Sequence, residues 1–203
     1  MTGQGDADLL TLFRLIADGR TDTAGAMLTR DPGMANAALS EGATRQNPGL
    51  WYRGDTALHI AAASHQPDLV AQLLALKADA RARNRRSATP LHAAAGGQPG
   101  QPDFSPTAQV AVISALITAG ADVEAANMDG TRPLHRAVRC RCAAAVEALI
   151  AAGADPRALN GRGTSPLRLT EVDSGRSGAG SPEARSGQVR LRTILQQSQG
   201  QKP

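Results

Sequence analysis

Aromatic side chains are almost missing from this sequence. Phe13, Trp51, Tyr52 and Phe104 are the only four rings in 203 residues. A core anchored on large rings, each burying roughly 150–250 Å², is therefore excluded, and with it a β-sandwich or closed barrel. Cysteine is equally scarce. Cys140 and Cys142 alone cannot make a disulfide framework, so a reducing, cytoplasmic setting is expected. Met1 to Leu12 shows no basic segment followed by an apolar one, and no window approaches 18 uncharged apolar residues. Neither a signal peptide nor a membrane contact is expected. Lysine is nearly absent too: two lysines and 20 arginines stand against 18 acids, for a net charge of +4. The balance is uneven, −2 over residues 1–50, +2 over 51–173 and +4 beyond. So mild an excess is a weak pointer to an anionic partner.

Alanine and leucine fill the space, with 39 and 21 copies. Alanine is the strongest helix former and lets helix backbones approach closely, which favours thin, tightly packed helices. Self-similarity then organises the chain. Gly54-Asp55-Thr56-Ala57-Leu58-His59 recurs as Ser87-Ala88-Thr89-Pro90-Leu91-His92 and as Gly130-Thr131-Arg132-Pro133-Leu134-His135. It returns as Gly163-Thr164-Ser165-Pro166-Leu167-Arg168. The period is 33 residues from His59 to His92 and from His135 to Arg168, and 43 between His92 and His135. After each copy comes a second amphipathic run with i, i+3, i+4 spacing, around Val70, Ile113, Val146 and Leu191. Three of these runs close on Lys77-Ala78-Asp79, Gly120-Ala121-Asp122 and Gly153-Ala154-Asp155.

This pattern resembles the ankyrin repeat. The resemblance implies an all-α solenoid of stacked helix–turn–helix units joined by β-hairpin loops, as one array over residues 1–195. The expected parts are an N-terminal capping repeat with the first hairpin (8–53) and repeats at 54–86, 87–129, 130–162 and 163–197. Insertions are expected at 96–107 and 173–180, and a disordered tail at 198–203. Both insertions end on Ser-Pro-x-Ala, a serine cap with proline at the first helical position. Gly, Pro and Ser dominate what precedes, so exposed, mobile loops are expected. Thr89 and Pro90 open a helix in the same way, and Gly120 and Gly153 suit the left-handed position that ends one. Lys77 stands where those glycines stand, at a cost of about 1 kcal/mol. Arg132 replaces the capping threonine and Arg168 the histidine.

Little here resembles catalysis. Cys140-Arg141-Cys142 lies near His135, but one intervening residue is short for paired zinc ligands. The plain reading is two thiols in an interhelical turn. His59, His92 and His135 recur once per repeat, which marks scaffold, and in resembling repeats this histidine braces the hairpin. His65 is expected at a solvent-facing turn. No phosphate loop or nucleophile elbow is present. Catalytic residues, cofactors and metal ligands are accordingly expected to be none.

The candidates for partner contact lie at the hairpin tips and along the inner helices. Trp51-Tyr52-Arg53 aligns with Asn84-Arg85-Arg86, Asn127-Met128-Asp129 and Asn160-Gly161-Arg162. Trp, Tyr and Arg are enriched at binding hot spots. Two readings of the ring pair stand side by side: a partner contact, or a cover folded back over the capping repeat. The expected contact set is Trp51, Tyr52, Arg53, Arg85, Arg86, Met128 and Arg136, supported by Arg83, Arg139 and Arg162. The second hairpin is basic and the third acidic (Asp122, Glu124, Asp129), so the inner face is striped. Stripes suit a protein partner better than a uniform phosphate backbone. The expected function is a monomeric, non-catalytic module that binds a protein. The alternative is arginine-mediated binding of nucleic acid or another acidic polymer, through the second hairpin and Arg176, Arg185, Arg190 and Arg192.

Overall fold

A computed structural model describes residues 3–40, 51–99, 101–171 and 182–199. The insertion expected at 173–180, with Arg176, lies outside these residues, as do 200–203 of the expected tail.

The amphipathic runs become two rows of helices. A capping pair, α1 (Gly3–Ala17) and α2 (Thr21–Arg30), is followed by a short 3-10 turn at Pro32–Ala35. The inner row is α3 (Ala57–Ala63), α5 (Pro90–Ala94), α7 (Pro133–Arg139) and α9 (Pro166–Leu169). The outer row is α4 (Pro67–Ala75), α6 (Pro106–Thr118), α8 (Ala143–Ala151) and α10 (Pro182–Gln199). Inner helices pack on inner ones and outer on outer, so each unit touches chiefly its neighbours. The core runs the length of the array: Leu12, Phe13 and Ile16 in the cap, then Leu58, Leu73, Leu91, Ile113, Leu134 and Leu149, all fully buried. Alanines such as Ala61, Ala94, Ala137 and Ala145 are buried between them and let the helices approach closely.

Two boundaries differ from expectation. Ser105 Oγ accepts the Ala108 amide at 3.2 Å and α6 begins at Pro106, so residues 106 and 107 of the expected insertion are helical. The helix α10 runs to Gln199, so Ser198 and Gln199, expected in the tail, continue the last helix.

The connecting loops are hairpin-shaped turns. Among the described residues no strand forms, and the sole bridge pairs Ala38 with Thr56. The second, third and last turns are each tied by one asparagine. Asn84 Oδ1 accepts the amides of Arg86 and Ala88, Asn127 Oδ1 those of Asp129 and Thr131, and Asn160 Oδ1 those of Arg162 and Thr164. Single backbone bonds link successive tips: Arg85 N–H to Arg53 O (2.7 Å), Met128 N–H to Arg86 O (2.9 Å) and Gly161 N–H to Asp129 O (2.9 Å). The tips stack so closely that a β-carbon on Gly130 would lie 2.5 Å from the Gly161 nitrogen.

The outer helices end alike. The amides of Lys77 and Ala78 bond back to Leu74 and Leu73, those of Gly120 and Ala121 to Ile117 and Leu116, and those of Gly153 and Ala154 to Ile150 and Leu149. This paired 5→2 and 6→1 closure needs a left-handed residue. Gly120 and Gly153 supply it at φ 88° and 95°, and Lys77 is forced into it at φ 63°. Lys77→Gly is therefore expected to stabilise the fold by about 1 kcal/mol, raising the thermal midpoint by roughly 2–4 °C. An unchanged or lower midpoint by circular dichroism would contradict this.

Candidate functional site

Three imidazoles connect the units. The amides of Thr56 and Thr89 donate to Nδ1 of His59 (3.2 Å) and His92 (3.1 Å). Nδ1 must therefore carry the lone pair, and the proton sits on Nε2. That Nε2–H donates across to the next hairpin: His59 to Ala88 O (3.1 Å), His92 to Thr131 O (2.9 Å) and His135 to Thr164 O (3.0 Å). In the third unit Arg132 offers no acceptor, and its amide lies 3.4 Å from His135 Nδ1. Its guanidinium instead pairs with Glu124 (3.0 Å) and donates to Leu159 O (2.7 Å). Glu124 also accepts the Asp155 amide at 2.9 Å, so an ion pair takes over part of the bracing between the third and last hairpins.

His65 differs from expectation. It is half-buried at the α3–α4 turn, its Nε2 lies 3.1 and 2.9 Å from the carbonyls of Ala94 and Gly96, and its ring meets Phe104 edge-on at 5.6 Å. Fully buried Gln109 donates to the same two carbonyls at 3.0 and 2.8 Å. The start of the first insertion is thus pinned by the α3–α4 turn on one side and by α6 on the other. Gly96 is buried and Phe104 packs against the core, while Gln98, Pro99 and Gln101 to Asp103 are exposed.

Partner-contact candidates separate into two groups. Trp51, Tyr52 and Arg136 line one groove of about 370 Å³ between the first two hairpins and the helices α3 and α5. Ala17, Ile60, Ala63 and Ala93 contribute its apolar surface. Trp51 also stands edge-on to Phe13 at 5.5 Å, so this ring covers the cap and walls the groove together. Arg85 and Arg86 hold their guanidiniums 5.3 and 5.7 Å from the Tyr52 ring centre. Arg53 is exposed at the first tip.

The other candidates lie elsewhere. Met128, 72% exposed, is at the third tip and Arg162 at the last. Arg139 borders a smaller cavity of about 80 Å³ near Leu169 and Gln188. Arg83 Nη1 donates to Ser87 O and Ala126 O, and Arg81 Nε to Gly120 O, so these two strap the second hairpin to the third. Arg86 pairs with Asp129 at 3.3 Å across exposed surface.

The sequence reading did not pick out Ala63, Ser64 and Ala93 of the groove, nor Asp55. Asp55 is 5% exposed and accepts the Tyr52 amide at 2.5 Å and Asn84 Nδ2 at 2.8 Å. It occupies a repeat position filled by Ala88 and Thr131 in the next units, and that departure was its only signal.

Burial pushes the Cys142 thiol up to about 11, far from a reactive thiolate. Among the described residues no three His, Cys, Asp or Glu side chains converge to hold a metal ion, and no helix is long and apolar enough to cross a membrane.

Burial also pushes His59, His65 and His135 below the usual histidine range, and His92 to about 4. At His59, His92 and His135 protonation would destroy the Nδ1 lone pair that holds the cap. The unfolded chain takes up these protons near pH 6.5 and the folded chain only below that, so acid favours unfolding. For His92 the stabilisation is complete above about pH 6.5 and is lost as pH falls towards 4, on the order of 3 kcal/mol. Urea midpoints should fall steeply across that window and stay level from pH 7 to 8. A flat profile would count against the neutral bracket. Trp51→Ala is expected to cost about 2 kcal/mol in urea unfolding and Tyr52→Ala under about 1 kcal/mol. Equal losses would remove Trp51 from the cap.

Comparison with known proteins matches two stretches of the chain. A family model described as "Ankyrin repeats (many copies)" matches residues 116–169, and one described as "Ankyrin repeat" matches residues 53–85. The chain is 38% identical over 90 residues to the mouse (Mus musculus) protein named NF-kappa-B inhibitor delta. That alignment covers 43% of this chain and 24% of the relative.

Proposed function

We propose, for a chain that belongs to the ankyrin-repeat family, that it is a non-catalytic module holding a protein partner in the groove between its first two hairpins and its inner helices. The observation that carries this is the groove itself: about 370 Å³, apolar along α3 and α5, walled by Trp51 and Tyr52 and flanked by Arg136. Aromatic and arginine side chains around an apolar depression are the composition of an interface centre. A relative named as an inhibitor of NF-kappa-B agrees with a protein ligand. The three bracket histidines and Cys142 favour a scaffold over a reaction centre, because their proton-bearing atoms are committed or kept inert.

The second hairpin favours this reading over an acidic polymer. Three of its four arginines contact the neighbouring unit, two as donors to backbone carbonyls and one in an ion pair. That leaves less of the hairpin's charge for tracking phosphates.

The test is affinity capture from the native cell with two variants at exposed groove positions, Ala63→Phe and Arg136→Glu. Both should reduce recovery of the same partner by about tenfold with the unfolding midpoint unchanged. Ser114→Arg, exposed on the outer helix α6, should leave recovery intact. Equal recovery by all four proteins would remove the groove from the interface.

A further inference from the structure

We infer that the groove takes an extended acidic segment of a partner, with a carboxylate on Arg136 and a neighbouring apolar side chain seated between Trp51 and the alanines of α3 and α5. This rests on the groove being the partner site and adds the chemistry of what fills it.

The electrostatics around the groove are one-sided. Arg136 and Arg85 have no carboxylate partner among the described residues, nor has Arg53 at the tip beside Tyr52. The groove's one acidic lining residue, Asp55, is turned inward, and its two oxygens are taken by the Tyr52 amide and by Asn84. His59 and His92 also border the groove but are uncharged, with Nε2–H donated to carbonyls. What faces an incoming chain is therefore positive charge over apolar surface. Such a field attracts a carboxylate and repels a basic segment.

The shape adds a second requirement. Ala17, Ala63 and Ala93 leave the groove shallow, while the Trp51 and Tyr52 rings stand beside it. Its volume lies at the low end of the range for built ligand sites. That suits one or two apolar side chains of a peptide more than a folded surface. Arg136 also lies against the first insertion, since its Nε is only 2.8 Å from where a β-carbon on Gly96 would stand. Glycine there leaves room for the guanidinium beside the pinned start of the insertion.

Trp51 is the single tryptophan of the chain, so its emission reports on the groove without a label. The probes are a blocked peptide of alternating glutamate and leucine, its lysine-for-glutamate counterpart, and a short DNA duplex, each titrated into the full chain. The glutamate peptide should shift the emission saturably, and the lysine peptide and the duplex should not. Raising the salt, or Arg136→Ala, should weaken binding of the glutamate peptide by about tenfold. Tyr52→Phe, which keeps the ring, should bind like the parent. No saturable response, an equal response to both peptides, displacement of the glutamate peptide by DNA, or full affinity in Arg136→Ala would each overturn the inference. If Ala63→Phe abolishes partner capture while the glutamate peptide fails to bind, the groove stands as the docking site and only its preference for an acidic segment falls.

Discussion

In the first two full repeats an imidazole faces two ways at once. Its Nδ1 lone pair receives the amide that opens its own helix, and its Nε2–H reaches a carbonyl of the next hairpin. The first bond places the start of the inner helix, and the second sets the distance to the following unit. Both require a neutral ring with one particular tautomer, which burial enforces by disfavouring the charged form. Hairpin spacing, and therefore the groove, depends on this.

The arginines show how one residue type serves two ends. Arg81, Arg83 and Arg132 reach across to carbonyls of the next hairpin and act as straps. Arg132 also replaces a missing threonine by pairing with Glu124, whose other oxygen holds the Asp155 amide. Among the described residues Arg136 and Arg85 make no such bridges, and they stand around the groove. A guanidinium suits both roles because its fork offers several donors and stays charged when partly desolvated.

Much was legible from composition and period alone. A count of 39 alanines against four rings excluded a ring-anchored core, and the recurring Leu-His stretches located the inner helices. The lysine at position 77 was recognisable as a residue in glycine's place, and its φ of 63° follows from the closure that the neighbouring helices share. The loop after Ala95 was harder to read. Its Gly and Pro content predicts exposure, which holds for Gln98 and Pro99, but Gln109 on α6 and His65 in the α3–α4 turn grip Gly96 from both sides. Local composition cannot encode a bond made by residues 13 and 31 positions away.

The sequence by itself determined the repeating architecture, because period, capping residues and helix-ending glycines act within about one turn of chain, where sequence neighbours are spatial neighbours. The three-dimensional packing decided which candidate side chains meet. Trp51, Tyr52 and Arg136 come from the first hairpin and from the inner helix of the third repeat, and only stacking brings them to one groove. Stacking also committed Arg83 to a neighbour's carbonyl and turned Asp55 inward. The physical reason is that side-chain direction and burial are set by residues 29 to 85 positions apart, through contacts that no local pattern records.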